Sequence, residues 1–346
     1  MNEFEILENV PLAPLTTFGV GGAARFFVNA SDEMSVRRGI EFASERSLPV
    51  LILGGGSNLL VADAGFNGVV IKIGIRGVER CRNLVTAGAG EDWDDFCSYC
   101  VAEGLAGIEC LSGIPGTVGA TPVQNVGAYG QEVSETIETL RALDLKGGGI
   151  VSLSNGDCEF AYRRSRFNTN DRGRFVILSV SYRLRPDGVP EIAYRDLQDR
   201  FPEGKATLPA VREAVREIRA SKGMLVRQGG PDSASAGSFF KNPVVSGEFF
   251  ESVKMLAAER GIESVPHYPA DGSRVKIPAA WLIERSGFEK GFRLGNAGLS
   301  TVHTLALTNR GGASAGEIIA LRDRVRSTVF SVWGIELDVE PVLVGF

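Results

Sequence analysis

The chain has 346 residues, of which 44% are hydrophobic and 23% are charged. This length predicts two or three domains, although one large barrel domain also fits, and the composition excludes a disordered protein. Lys and Arg number 37 against 42 Asp and Glu, so the net charge of -5 has the wrong sign for binding nucleic acid through its phosphates. Since no apolar run reaches the length of a transmembrane helix, we expect a cytoplasmic protein that does not bind membranes.

The hydrophobic pattern predicts short strands interspersed with helices, an α+β layout. A glycine run at 147–149 predicts a hairpin between two of the strands. Helices are predicted at 32–47 and 91–104, in a segment that ends at Lys222 before Gly223, and after the capping box Ser314-x-x-Glu317. Strands are predicted at 25–28, 50–53, 69–73, 136–145, 150–153, 175–184 and 335–343.

The cysteines and histidines argue against a metal site. Cys97 and Cys100 form a Cys-x-x-Cys, but with Trp93, Phe96 and Val101 they recur at helical spacing, which is typical of a buried stripe. No second thiol pair or nearby histidine completes a zinc site, so we predict no bound metal. The only histidines, His267 and His303, make a Ser-His-Asp hydrolase a poor hypothesis.

Glycine is abundant, with 43 residues, and its clusters indicate ligand loops. The run 19–24 fits a loose dinucleotide pattern, but a strand rather than a helix follows it. The run 54–58 follows a buried strand, yet again no helix opens after it. In 114–120, Pro115 and two glycines allow main-chain amides to converge on a pyrophosphate, with the Thr117 hydroxyl as a further donor. Each loop alone could be a tight turn; together they favour a phosphate-bearing ligand.

The loops 54–58 and 114–120 and four further motifs, found in the same order along nearly the whole chain, resemble the UDP-N-acetylenolpyruvoylglucosamine reductase family. The motifs are Gly54–Asn58, Ile114–Ala120, Gln124–Gly130, Tyr162–Ser165, Gly237–Pro243 and Val339–Pro341. Within this family, the Gln124-Asn125 pair and Tyr194 resemble the residues found in the subgroup that includes the enterobacterial enzymes. Two positions depart from the family pattern, since Arg164 stands where an acid is common and Val342 replaces a second acid.

The resemblance implies a flavoenzyme that uses NADPH to reduce UDP-N-acetylglucosamine enolpyruvate in peptidoglycan precursor synthesis. It implies an FAD-binding domain of the vanillyl-alcohol oxidase (PCMH) type, made of two α+β subdomains at 1–75 and 76–222, and a smaller α+β substrate-binding domain at 223–346. The FAD is expected to be non-covalent, since the first 266 residues lack histidine. A monomer is expected. The implied cofactor-binding residues are Gly54, Gly55, Gly56, Ser57, Asn58, Ile114, Pro115, Gly116, Thr117, Gly119, Ala120, Gln124, Asn125, Gly127, Tyr129 and Gly130.

Three catalytic residues are implied by the resemblance. Hydride addition to an enol ether drives negative charge onto its carboxylate, which requires a cation, and the adjacent carbon requires a proton donor. Arg163 would bind the carboxylate, Ser238 would donate the proton, and Glu340 would orient the carboxylate or share its proton. From the residues alone, Arg163 also fits a surface arginine, Ser238 a small residue in a loop, and Glu340 a solvated strand face.

The resemblance also implies that Tyr194, Lys222 and Asn242 bind the substrate diphosphate. Lys222 equally fits a structural cation at a helix C-terminus. Two other functions stay open. The chain could be another flavin oxidase or dehydrogenase of the same superfamily, acting on an alcohol or hydroxy acid. It could also be a flavin-binding or nucleotide-sugar-binding module without catalysis, although the presence of Arg163, Ser238 and Glu340 together argues against that.

Overall fold

The computed structural model describes residues 4–225, 230, 232–270 and 272–346, so a few residues of the predicted first and third domains lie outside the described residues. The described helices are α1 (Glu33–Glu45), α2 (Trp93–Ala102), α3 (Arg195–Arg200), α4 (Leu208–Ser221), α5 (Gly247–Glu259), α6 (Ala279–Arg285) and α7 (Ala315–Trp333).

The described strands are short, and most belong to small sheets. They are β1 (Leu7–Pro11), β2 (Ala23–Ala30), β3 (Val50–Leu53), β4 (Leu59–Val61), β5 (Phe66–Ile73), β6 (Val78–Cys81), β7 (Leu84–Gly88), β8 (Leu105–Ala106), β9 (Gly127–Ala128), β10 (Gln131–Glu132), β11 (Ile137–Asp144), β12 (Ile150–Ser154), β13 (Phe175–Arg183), β14 (Arg185–Pro186), β15 (Val244–Ser246), β16 (Tyr268–Pro269), β17 (Arg274–Lys276), β18 (Arg293–Leu294), β19 (Ala297–Leu299), β20 (Leu307–Asn309) and β21 (Val342–Val344).

The chain forms two compact units that alternate along the sequence. The first unit comprises Met1–Val10, Ala24–Gly56 and Phe66–Ser221. The second unit comprises Pro11–Ala23, Ser57–Gly65 and Lys222–Phe346. The three sequential domains with boundaries after residues 75 and 222 stay a prediction.

Two larger sheets organise the first unit. The four-stranded sheet has the order β1-β2-β5-β3, in which β2 and β3 each pair with β5 in parallel. The five-stranded sheet has the order β12-β11-β13-β7-β6, and its neighbours pair antiparallel. The predicted helices 32–47 and 91–104 are confirmed as α1 and α2, and the strands predicted in this unit are confirmed, including the hairpin across the 147–149 glycines.

Helix α2 buries its cysteines, as predicted. Trp93, Phe96, Cys97, Cys100 and Val101 are all buried. Burial raises the pKa of the Cys100 thiol to about 12 and also raises that of Cys97, so neither is a reactive thiolate at neutral pH. Among the described residues, no helix combines the length and apolarity needed to cross a membrane.

The second unit surrounds α7 with α5, α6 and two three-stranded sheets, β15-β17-β16 and β18-β19-β20. The predicted capping box of α7 is confirmed, with Ser314 and Glu317 bonding each other's main chain. Asp63 adds to it, because its carboxylate accepts from the amides of Ala315 (2.8 Å) and Gly316 (2.9 Å). Strands β4 and β21 pair in parallel, which joins the start and end of this unit.

The predicted strand 335–343 is wrong in extent. Regular pairing covers only β21, Val342–Val344, and the preceding residues are extended with one isolated bridge between Phe240 and Val339. Pro341 lacks an amide hydrogen and interrupts the ladder at that point. The alternation was nevertheless informative, since Ile335 and Leu337 are buried and Glu336 and Asp338 are exposed.

Candidate functional site

Two glycine loops of the predicted cofactor site meet within the first unit. A Cβ atom built on Gly54 would lie 2.8 Å from the Thr117 hydroxyl oxygen, and one on Gly55 would lie 2.7 Å from the Gly116 Cα. Contacts this close leave no room for a side chain at either glycine. Residues 54–56 and the 114–120 loop, which the sequence singled out separately, therefore form one main-chain cradle within the first unit.

This cradle presents amide groups rather than side chains. Within the described residues, the amides of Gly55, Gly56, Gly116 and Thr117 donate no hydrogen bond. Converging amides without acceptors form an anion-binding nest, and the diphosphate of FAD is an anion of suitable chemistry. The residues present thus fit the cofactor that the resemblance implies.

The 114–120 loop is hydrogen-bonded to the segment that follows strand β7. The Val118 amide donates to the Glu91 carbonyl (2.9 Å), and the Gly119 amide donates to the Ala89 carbonyl (2.9 Å). The neighbouring Thr121 hydroxyl bonds the buried Tyr182 hydroxyl at 2.9 Å. These bonds anchor the 118–121 end of the loop, next to the unused amides of Gly116 and Thr117.

Replacing Gly55 by alanine should give a folded protein that retains little FAD after purification. The new methyl group would contact Gly116 Cα at 2.7 Å, which would force the two loops apart. The measurement is the flavin absorbance relative to protein, with the melting temperature as a check on folding. Gly149→Ala is the matched control, because no atom lies within 4 Å of that Cβ position. Normal flavin content in Gly55→Ala would contradict the cradle.

Asn125 supports the 124–130 segment from inside the protein. Its side chain is fully buried; the Nδ2 group donates to Glu132 Oε2 (2.7 Å) and the Ala161 carbonyl (3.1 Å), and Oδ1 accepts from the Ser134 amide (3.1 Å). The predicted cofactor residue therefore uses its side chain on the protein, and its contribution to a ligand would come through the shape of the loop. Asn125 has a left-handed φ of 47°, a backbone conformation that is uncommon for non-glycine residues and clusters at functional sites.

Arg163 lies at the tip of a two-residue turn. Ala161 and Arg164 bond each other's main chain across the turn, and Arg163 has a left-handed φ of 53°. Its guanidinium reaches Gly127, where a Cβ would lie 3.4 Å from Nη1. Arg163 is half-buried whereas Arg164 is exposed, so burial separates two arginines that only the family resemblance separates in the sequence.

Ser238 and Glu340 lie on neighbouring segments of the second unit. The Glu340 amide donates to the Phe239 carbonyl (2.9 Å), and the Lys241 amide donates to the Asp338 carbonyl (2.9 Å). Asn58 adds a bond from its side-chain Nδ2 to the Glu340 carbonyl at 3.2 Å. Glu340 is half-buried, whereas the preceding acids Glu336 and Asp338 are exposed. Ser238 is also half-buried. The main-chain segments that carry Ser238 and Glu340 are thus hydrogen-bonded to each other.

The three predicted substrate residues have different environments. Tyr194 is exposed at the N-terminus of α3, and its ring meets the Tyr129 ring edge to face at 5.5 Å between centroids. Lys222 follows α4 directly, and Gly223 adopts the expected left-handed φ of 64°. Asn242 accepts from the Ala279 amide (2.9 Å) through Oδ1, so only its NH2 group could donate to a phosphate.

His303, which no sequence motif links to Lys222, lies close enough to feel its charge. His303 Nδ1 accepts from the Leu305 amide at 3.2 Å, which leaves Nε2 to carry the proton in the neutral ring. Burial, followed by the nearby charge of Lys222, lowers the pKa of His303. No local motif marks this histidine, since its neighbour Lys222 is far away in the sequence.

Comparisons with known proteins agree with the motifs. The model of the UDP-N-acetylenolpyruvoylglucosamine reductase C-terminal domain matches residues 230–344, and an FAD-binding domain model matches 24–154. The reductases of Streptomyces coelicolor and Nocardia farcinica are 44% and 47% identical to this chain, in each case over 98% of the chain and 90% of the relative.

A solved structure of the reductase from Thermus caldophilus has the same fold. It superposes with a TM-score of 0.67 at 24% identity, covering 99% of both chains. The α+β architecture with an FAD-binding domain is therefore confirmed. The identity to the two bacterial relatives extends over nearly the full length of the chain and includes both matched domains. On these grounds the chain belongs to the UDP-N-acetylenolpyruvoylglucosamine reductase family.

Proposed function

We propose that this chain uses NADPH and non-covalently bound FAD to reduce UDP-N-acetylglucosamine enolpyruvate to UDP-N-acetylmuramate, a peptidoglycan precursor. The observation that carries the proposal is the pairing of the Ser238 and Glu340 segments in the second unit. The reduction needs a proton donor and a group that orients the carboxylate, whereas flavin binding alone needs neither, so two such residues on paired segments support a reductase. Family membership and the amide cradle support the cofactor.

FAD held by the amide cradle would supply the hydride chemistry that links NADPH to the vinyl carbon of the substrate. Arg163 binds the substrate carboxylate through its planar pair of donors and stabilises the charge that develops there. Its place in a two-residue turn and the closeness of its guanidinium to Gly127 favour one orientation of this group. This preorganisation means that little rearrangement is needed as the charge forms.

Ser238 donates its hydroxyl proton to the carbon adjacent to the carboxylate, which completes the addition of H2 across the double bond. A serine hydroxyl is a weak acid, so it needs nearby cations or donors to lose its proton. Lys241 is close in sequence and contributes positive charge. Glu340 orients the substrate carboxylate or shares its proton, and the bond from Asn58 to the Glu340 carbonyl fixes its main chain.

The substrate diphosphate is bound by Tyr194, Lys222 and the NH2 group of Asn242. These groups supply one cation and neutral donors, which suits an extended phosphate chain. The partly exposed ring of Tyr194 is accessible to a ligand from solvent. This assignment rests on the residues that match the motifs of the family.

Replacing Tyr194 by phenylalanine should raise the Michaelis constant for the UDP-sugar about tenfold, the effect of losing one hydrogen bond to a charged group. The turnover number should change little, because the hydroxyl contacts the diphosphate and not the reacting carbons. Steady-state kinetics at several substrate concentrations measure both constants. An unchanged Michaelis constant would remove Tyr194 from the substrate site.

The purified protein tests the proposed function directly. We expect a yellow protein whose flavin absorbance bleaches when NADPH is added without oxygen and returns when the enolpyruvyl sugar follows. Rapid oxygen consumption with an alcohol, and no turnover of the sugar, would favour the alternative oxidase. Absence of bleaching would favour a binding module without catalysis.

The cellular setting is part of the proposal. A nucleotide-linked substrate and NADPH are both intracellular metabolites, which supports a cytoplasmic enzyme. A role in cell shape and division follows from the proposed peptidoglycan precursor, and the monomer is a separate part of the proposal. Two flavin subdomains at 1–75 and 76–222 and a substrate domain at 223–346 fit this chemistry. Gel filtration of the holoenzyme tests the monomer, and limited proteolysis tests the boundaries.

A further inference from the structure

Arg219 is a buried cation on α4 that the sequence analysis did not single out. Only 8% of the residue is exposed, and its Nε donates to the Gly113 carbonyl at 3.0 Å. Gly113 directly precedes the 114–120 loop and has a left-handed φ of 73°. Arg219 is therefore bonded to the main chain at the entrance of the proposed diphosphate cradle.

The amide side of Gly113 is held as firmly as its carbonyl side. Asp94 Oδ1 accepts from the Gly113 amide (2.7 Å) and from Arg212 Nη1 (2.5 Å), while Asp94 Oδ2 accepts from Arg216. Burial alone would raise the pKa of the Asp94 carboxyl, but the bonds from Arg212 and Gly113 bring it below the ordinary value. Gly113 is thus fixed to α2 and α4 from both sides.

Arg219 also contacts Tyr129, which lies outside the 114–120 loop. Its guanidinium hydrogen-bonds the side chain of Tyr129, which is 8% exposed and has a left-handed φ of 52°. The Tyr129 ring lies at 89° to the ring of Tyr194, with 5.5 Å between centroids. Tyr129 also packs with the apolar face of α4, formed by Val211, Ala214, Val215 and Ile218.

We propose that Arg219 is a positioning residue that couples the 114–120 loop to Tyr194 through Tyr129. One planar guanidinium carries both contacts, Nε to the loop and a second bond to Tyr129, so an ordered loop holds the two aromatic rings in place. A lysine carries its three donors on one terminal nitrogen, so it lacks a donor at the Nε position and cannot reproduce the spread of the two contacts. The inference rests on the proposed function only in treating Tyr194 as a substrate residue.

The consequence is linkage between FAD and the Tyr194 region. FAD that orders the 114–120 loop should also order the tyrosine pair, and by reciprocity a ligand at Tyr194 should strengthen FAD binding. Hydrogen exchange measures this without turnover. In the wild-type holoenzyme, peptides covering residues 190–200 should exchange about tenfold more slowly than in the FAD-free protein.

Arg219→Lys should abolish most of this FAD-dependent protection while leaving exchange in the five-stranded sheet unchanged. Tyr129→Phe is the second variant, since it removes only the hydroxyl and keeps the ring packing. Arg200→Lys is the matched control: Arg200 also joins α3 to α4, through Glu217 at 2.9 Å, but on the surface. Full protection in both test variants, or equal loss in the control, would overturn the proposal.

Kinetics give an independent outcome. If Arg219 acts by placing the Tyr194 hydroxyl, Arg219→Lys should raise the Michaelis constant for the UDP-sugar, and should raise it little further in a Tyr194→Phe background. Strictly multiplicative effects would overturn the coupling. If the wild-type protein does not turn over the sugar, the proposed function fails, and the hydrogen-exchange result still decides the coupling.

Discussion

Replacing Ser238 by alanine should slow reoxidation of the reduced flavin by the enolpyruvyl sugar about 100- to 10,000-fold, the range expected for loss of a positioned general acid. Reduction of the flavin by NADPH should be nearly unchanged, because that half-reaction needs no proton from Ser238. The pairing of its segment with that of Glu340 is main-chain bonding, which alanine preserves. The two half-reactions are measured separately by anaerobic stopped-flow absorbance.

Ser233→Ala is the matched control for this variant. Ser233 lies a few residues upstream, and its hydroxyl donates to the Gly230 carbonyl at 2.7 Å on the protein surface. We expect both half-reactions of the control to match the wild type. Equal loss of both half-reactions in Ser238→Ala would show that the serine supports the structure and does not donate the proton.

Replacing Arg163 by glutamine should lower kcat/KM for the UDP-sugar about 100- to 1,000-fold, as expected when a group that stabilises developing charge is removed. Glutamine keeps part of the side-chain length but has no charge and lacks the fork of donors on two nitrogens that binds a carboxylate. Its backbone would occupy the same left-handed turn, so the change acts on the site chemistry more than on the fold.

The neighbouring arginine supplies the control for Arg163. Arg164 is exposed, and its main chain alone closes the turn with Ala161. Arg164→Gln should therefore retain wild-type kinetics, measured with the same substrate and NADPH concentrations. Similar losses in both variants would mean that the general positive charge of the segment matters, and that the orientation of Arg163 does not.

Local patterns were sufficient to predict much of the fold. The alternation and helical spacing located α1, α2 and α7, because each has a capping or apolar signal within its own residues. Glycines at 54–56 and 116–119 marked a close approach of main chain, which the Cβ distances explain. The family motifs then connected these loops to FAD, a step that composition and spacing alone did not provide.

Contacts between distant residues were beyond such patterns. Three acids at 336, 338 and 340 were equivalent in the sequence, and burial distinguishes Glu340 only because Phe239 and Asn58 pair with its main chain. Nothing in the helix pattern marks Arg219, and only its hydrogen bond to the Gly113 carbonyl shows that it contacts the start of the 114–120 loop. The strand predicted at 335–343 was too long, because alternation of apolar and polar residues does not show which residues have a partner strand.

The parallel pairing of β4 with β21 affects how the chain folds during translation. Asn58 and Glu340, which are hydrogen-bonded next to this strand pair, are 282 positions apart. Phe18 and Leu60, also early in the chain, are fully buried in the apolar core of the same unit. At 5–20 residues per second, ribosomal synthesis leaves these early segments without their partners for roughly 15 to 60 s. Nascent chains should therefore bind chaperones over this interval, and messages truncated before codon 342 should yield aggregated product.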